Sequence, residues 1–215
     1  MGIDRAGAPF IGGAALVALL IAVSGHALWA WPFVVLTLFF LYFFRDPARQ
    51  VSAAANEVVS PADGRVLIAG EAEPAGSPPG TWRQISIFLS PVDVHVNRVP
   101  IGGLVTRVAR TAGKFLPAYR TEAASQNERT EIWIDRGGQT VVVRQVVGML
   151  ARRIVCRVRE GDRVETGQRY GIMKFGSRMD IYLPPDATIT THVGDRVRGG
   201  ETILARFGTV QGRQA

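Results

Sequence analysis

The chain has 215 residues, which suits one globular domain with an appendage rather than two full domains. Its formal charge is +7, and nearly all of its 25 basic residues are arginines, whose planar guanidinium matches phosphate and carboxylate. The lone cysteine, Cys156, excludes an intramolecular disulfide; no Cys/His cluster points to zinc, so no metal is expected.

From Phe10 to Phe44 there is no Asp, Glu, Lys or Arg, a run too long for an ordinary core helix. Ser24-Gly25-His26 divides it into Phe10–Val23 and Ala27–Phe44. At a helical rise of about 1.5 Å per residue the second half reaches roughly 27 Å, close to the hydrocarbon thickness, and the first only about 21 Å. The reading is an N-terminal membrane anchor over residues 1–50, built on an apolar helical hairpin at 10–44. One full span plus a shallow segment is the alternative. A secretory signal cleaved near Ala22-Val23-Ser24 would still leave the second half as an anchor. Arg5 before the run, and Arg45 and Arg49 after it, place both ends and the following domain on the cytoplasmic side of the cell membrane. Next to such an anchor, the basic excess points to an anionic membrane surface. No aromatic-interleaved basic motif suggests nucleic acid, which is not expected as a partner.

Beyond Pro47 the composition is that of a soluble domain, taken as residues 51–215. Val51–Glu57 reads as a linker. Val58-Val59-Ser60-Pro61-Ala62-Asp63-Gly64-Arg65-Val66 reads as an apolar pair, a Pro-Ala-Asp-Gly turn and a strand running through Ile68. Gly70–Gly80 is a Gly/Pro-rich loop, and Ile85–Leu89 a buried strand. Strand-like runs follow at Leu104–Ala109, Glu131–Asp135, Thr140–Val147 and Ala151–Arg159, while Lys114–Thr130 is polar and irregular. No long period-3.6 stripe appears, so the domain is expected to be mainly β.

The C-terminal third contains an echo. Gly161-Asp162-Arg163-Val164 recurs as Gly194-Asp195-Arg196-Val197, and Gly167 as Gly200. Two related β-units facing each other across a pseudo-twofold would produce it. The expected architecture is a small β-sandwich with Lys174–Arg178 at the tip of a connecting hairpin.

Two resemblances rest on these residues. The paired Gly-Asp-x-Val turns around Met173-Lys174 resemble a lipoyl or biotinyl carrier domain over about Val155–Arg206, with the lysine as the modified residue. A broader set resembles the short prokaryotic form of phosphatidylserine decarboxylase from about Val58 to Pro184. It comprises Pro61-Ala62-Asp63-Gly64, Asp93-Val94-His95-Val96-Asn97-Arg98, Asn127-Glu128-Arg129, Ala151-Arg152-Arg153-Ile154 and Phe175-Gly176-Ser177-Arg178, in that order. The two are compatible, since that decarboxylase reuses a carrier-like β-sandwich. The second implies a carboxy-lyase of phospholipid biosynthesis, made as a zymogen, that turns phosphatidylserine in the membrane into phosphatidylethanolamine and CO2.

Loss of CO2 from an amino acid leaves a carbanion at Cα, so an electron sink has to be conjugated to the amine, and no ordinary side chain supplies one. The resemblance implies that the Ser177 hydroxyl attacks the Gly176 carbonyl. Elimination and hydrolysis then leave a pyruvoyl group at position 177, whose ketone takes the substrate amine as a Schiff base. A large chain, 1–176, and a small chain, 177–215, would remain together as a heterodimer, with higher oligomers left open.

By the same resemblance Asp63 is the acid supporting self-cleavage, and His95 an active-site proton donor or base. Taken alone, an Asp in such a turn is also a structural cap, a histidine among valines also a core residue, and Gly-Ser also an ordinary turn. Longer relatives carry a second histidine three residues after the first, where this chain has Arg98, so the base for self-cleavage stays open. Arg152, Arg153 and Arg178 are candidates for the lipid phosphate or the substrate carboxylate, with solvated β-face arginines as the alternative. Glu128-Arg129 reads as an internal ion pair or part of the pocket, and His26 and His192 as bystanders. The alternative function is a membrane-tethered lipoyl- or biotinyl-like carrier or adaptor using Lys174.

Overall fold

A long uncharged run has to satisfy its own backbone hydrogen bonds, and this one does so as two helices, α1 (Ala8–Val23) and α2 (Ala27–Phe43). The computed structural model describes residues 2–73, 76–149, 153–174 and 176–208, and the chain divides into two units, Met1–Ala48 and Arg49–Ala215. In the first unit, Gly25 (φ 86°) turns α1 into α2, and the start of α1 returns to the end of α2 through Phe10 against Phe40 and Phe44. A two-residue ladder, β1 (Gly2–Ile3) with β2 (Arg45–Asp46), ties the open ends together. Both helices are apolar on every face, and Leu19, Leu20, Leu28 and Trp29 stand more than half exposed. The sequence made the second half the longer. A 3-10 turn at Arg5–Gly7 instead extends the first: Arg5–Val23, 19 residues, is long and apolar enough to cross a membrane, whereas α2 has 17.

The second unit is mainly β, as expected. It contains β3 (Glu57–Val59), β4 (Gly64–Glu71), β5 (Arg83–Leu89), β6 (Val96–Arg98) and β7 (Gly103–Thr111). A one-turn helix, α3 (Ala123–Gln126), interrupts the stretch read as irregular. Then come β8 (Arg129–Arg136), β9 (Gln139–Val147), β10 (Ile154–Cys156), β11 (Arg163–Val164) and β12 (Arg169–Met173). The last four are β13 (Ser177–Leu183), β14 (Thr188–Ile189), β15 (Arg196–Val197) and β16 (Ile203–Arg206).

Eight strands form one antiparallel sheet in the order β11-β7-β8-β9-β13-β5-β4-β15, and two three-stranded sheets, β10-β12-β6 and β14-β16-β3, accompany it. Alternation along the central strands sends Leu89, Ile87 and Ile85, Val143 and Val141, and Met179, Ile181 and Leu183 into a common core.

The repeated turns occupy matching places at the two ends of the large sheet. Val164 of β11 lies opposite Gly103 of β7, and Val197 of β15 opposite Gly64 of β4. In each copy the aspartate carbonyl accepts from a strand N–H (Val105, Val66), and that strand's carbonyl accepts from the glycine N–H (Gly161, Gly194). The echoed turns therefore make equivalent contacts, but at two edges of one sheet. The link between the copies is also not a hairpin tip: β12 belongs to the sheet of β6 and β10, and β13 to the eight-stranded sheet. Lys174 to Gly176 crosses from one sheet to the other, and Phe175 lies outside the described residues.

Candidate active site

The crossing ends at Gly176, with φ at 72°, a conformation that suits a residue without Cβ. Ser177 follows as the first residue of β13, facing Leu89 of β5 on one side and Val147 of β9 on the other. By alternation its side chain lies on the core face with Met179. It is fully buried, and its Oγ has no hydrogen-bond partner among the described residues. A buried hydroxyl without a partner is costly, and the cost points to a working group rather than a packing one.

The backbone around it is held from two sides. The Gly176 N–H donates to His95 Nε2 at 3.4 Å. On its other side the ring places Nδ1 2.9 Å from the Asp93 carbonyl oxygen, an arrangement that suits the tautomer with the proton on Nδ1. His95 is fully buried and leads into β6, with its carbonyl accepting from the Met173 N–H at 3.3 Å. On the other side stands Gly148, immediately after β9. A Cβ at that position would lie 2.1 Å from the Gly176 carbonyl oxygen and 3.0 Å from its carbon. Only glycine admits the carbonyl there. Sequence reading missed Gly148; a glycine directly after the valine-rich run that ends at Val147 was the available signal.

Asn127 was quoted only as part of a motif, yet it is the site's main tether. Its Oδ1 accepts from the Leu116 N–H at 2.9 Å, and its Nδ2 donates to the carbonyls of Leu116 and Val147, both at 2.8 Å. It thereby fixes the loop of Pro117, Ala118 and Tyr119 to the end of β9 beside Ser177. That loop, with Phe88, Pro91, Met149 and Gly176, lines an apolar cleft of about 170 Å³. Tyr119 and Met149 at its mouth are 61% and 62% exposed, so an apolar ligand can reach Gly176 from solvent.

Asp63 lies at the same end of the large sheet, but β5 stands between its strand and β13, an offset of two strand spacings or roughly 10 Å. Its Oδ1 accepts from the Gly199 N–H at 2.7 Å, and Oδ2 pairs with Arg49 Nη2 at 2.7 Å; Arg49 also reaches Glu201 at 3.2 Å. Neither His95 nor Ser177 is among its described partners. Arg98 is buried and donates to the Gly167 carbonyl at 3.0 Å.

Of the three candidate arginines, Arg153 is exposed, Arg152 lies outside the described residues, and Arg178 is buried on the face of β13 opposite Ser177. Its Nε pairs with Asp180 at 2.6 Å. Arg129 pairs with Glu131 rather than with its neighbour Glu128. Burial pushes the Cys156 thiol above its ordinary value, which disfavours the nucleophilic thiolate.

Comparison with known proteins gives the family. A model of the phosphatidylserine decarboxylase family matches residues 36–205. Proteins named phosphatidylserine decarboxylase proenzyme are similar over nearly the whole chain. That of Desulfotalea psychrophila is 41% identical over 95% of this chain and 96% of its own length. The Ralstonia pickettii protein is 43% identical over 95% of each. That of Pelodictyon phaeoclathratiforme is 45% identical over 88% of this chain and 93% of its own. With most of the β unit inside the match and relatives above 40% identity over nearly their full length, the chain belongs to the phosphatidylserine decarboxylase family of enzymes.

Proposed function

We propose that this chain cuts itself between Gly176 and Ser177 and then decarboxylates phosphatidylserine to phosphatidylethanolamine and CO2. The observation that carries the reading is the buried, unpartnered Ser177 Oγ directly after a glycine whose N–H is held by His95 and whose carbonyl is seated against Gly148. The word proenzyme in the relatives' names supports a processed chain.

In the first step Oγ attacks the Gly176 carbonyl carbon, and the acyl group moves from nitrogen to oxygen to give an ester. Loss of the Ser177 α-proton expels the Gly176 carboxylate. The resulting dehydroalanine becomes an imine, and one water releases ammonia to leave a pyruvoyl group at position 177. His95 Nε2, beside the scissile peptide, is suited to move the protons of these steps. The residues present fit such a group, because the site combines a reactive hydroxyl, an open glycine and a seated carbonyl. When formed, the pyruvoyl group supplies the electron sink for decarboxylation.

The remaining roles belong to the chain's own side chains. The apolar cleft at Gly176 takes the part of the lipid next to its headgroup and excludes water from the reacting end. Arg153, with Arg152, takes the phosphate or carboxylate. Asp63 acts on self-cleavage through the turn it braces rather than by contact with Ser177. The apolar hairpin keeps the unit at the cytoplasmic face of the cell membrane, so that two acyl chains need not leave the bilayer. The two cleavage chains stay paired, because β13 of the small chain is hydrogen-bonded on both sides by strands of the large one.

Ser177→Ala tests the proposal. The variant is expected to fold, to stay uncut and to release no CO2 from phosphatidylserine in vesicles. Wild-type turnover in that variant would end the reading. Mass added at Lys174 in an uncut wild-type chain would favour a carrier instead.

A further inference from the structure

We infer that the buried Arg178–Asp180 pair, closed by Ser86, is a positioning device that holds the strand end created at position 177 during decarboxylation. The inference rests on the proposed cut before Ser177.

On the face of β13 away from the core stand Arg178, Asp180 and Tyr182, only 2%, 0% and 1% exposed. The first two form a closed triangle with the strand alongside. Arg178 Nε donates to Asp180 Oδ1 at 2.6 Å, Ser86 Oγ donates to the same oxygen at 2.6 Å, and Arg178 Nη2 donates to Ser86 Oγ at 2.9 Å. Gln84 Nε2 adds a bond to Ser86 Oγ at 2.9 Å. On the other flank, Arg144 of β9 donates to the Tyr182 hydroxyl at 2.9 Å and pairs with Glu131 of β8 at 2.6 Å. Side chains thus tie β13 to both neighbours on the face that contributes nothing to the core.

A buried ion pair is weak evidence for stability, because apolar residues of similar size commonly hold a fold as well or better. Its location offers another reason for it. In the uncut chain, residue 177 is fixed by the peptide on either side of it. After the cut it is a chain end, and conversion to a keto group also removes its backbone N–H and hence its donor to the ladder. Chain ends fray unless tied down. Arg178 is the first residue still able to hold the strand, and the triangle sets its position and so the direction of the group attached to it. A displacement of about 1 Å at a reacting centre is enough to slow it on the order of a hundredfold.

The test is the double variant Arg178→Met with Asp180→Asn, which leaves no unpaired buried charge at the triangle. It is expected to melt at or above the wild-type temperature and to be cut at the wild-type rate, since the uncut chain keeps its covalent tether. Its kcat on phosphatidylserine vesicles should fall at least tenfold, with KM within about twofold. A folded, cut double variant with wild-type kcat would overturn the inference. So would a raised KM at unchanged kcat, which would make Arg178 a substrate ligand. Ser86→Ala removes one side of the triangle at little change in volume. It should lower kcat at least threefold at constant KM, and it decides the matter if the double variant does not fold. Failure of the wild-type chain to be cut before Ser177 would be the separate failure of the reading beneath.

Discussion

Gly148→Ala isolates the seating of the scissile carbonyl. No positive φ is recorded at Gly148, so alanine is conformationally allowed and the perturbation is purely one of contact. The new methyl would lie 2.1 Å from the Gly176 oxygen, whereas real Cβ contacts essentially never fall below 3.0 Å, so the carbonyl must retreat by at least 3.0 − 2.1 = 0.9 Å. Both clashing atoms are backbone, and no side-chain rotation relieves them. Overpacking of this kind costs about 1–3 kcal/mol, within the 5–15 kcal/mol that typically holds a domain together, so the fold should persist. Attack geometry is less forgiving: a shift of about 1 Å predicts roughly hundredfold slower self-cleavage. A gel time course of the freshly made chain measures it, with thermal melting as the check on folding. Gly70→Ala is the control, since nothing lies within 4 Å of a Cβ there, and it should process normally. A folded Gly148→Ala chain cut at the wild-type rate would refute the seating of the carbonyl as a requirement.

Two further outcomes follow from the geometry. Burial, and after it the charge of Asp180, raises the Tyr182 phenol well above its ordinary value of 10.0. The unfolded chain ionises first, so the stability this group contributes is complete below about pH 10 and is lost as pH rises beyond it. Tyr182→Phe should therefore lose less stability between pH 9 and pH 11 than the wild type in urea unfolding; equal losses would contradict the assignment. At Asp63 the bracing role predicts that Arg49→Met and Asp63→Asn slow processing to a similar, modest extent, each with about 1–3 kcal/mol lost from stability. A complete block by Asp63→Asn beside a normal Arg49→Met would instead make the carboxylate a direct participant.

The strands were legible because short β-branched and apolar runs such as Ile85–Leu89 and Thr140–Val147 carry their own signal, and the echoed turns announced two equivalent sheet edges. What periodicity cannot state is a strand's partner. Met173 and Ser177 lie close in sequence but in different sheets, so a crossing was read as a hairpin. The same limit hid Gly148, whose meaning depends on a carbonyl 28 positions away in the chain. It also misdirected Arg178: Ser-Arg-Met-Asp-Ile-Tyr-Leu alternates like a half-solvated strand, yet Gly76 and Ala124 cover its polar face, where Arg144 bonds their carbonyls. Ser177 and Gly176 were found through the motifs around them, since a buried orphan hydroxyl leaves no trace in sequence.

The most direct test is mass analysis of the purified, active protein. The account predicts two polypeptides, residues 1–176 and 177–215, the smaller without a free α-amine and gaining mass on borohydride treatment as its ketone is reduced. An active preparation consisting of one intact 215-residue chain with no reducible carbonyl would contradict it.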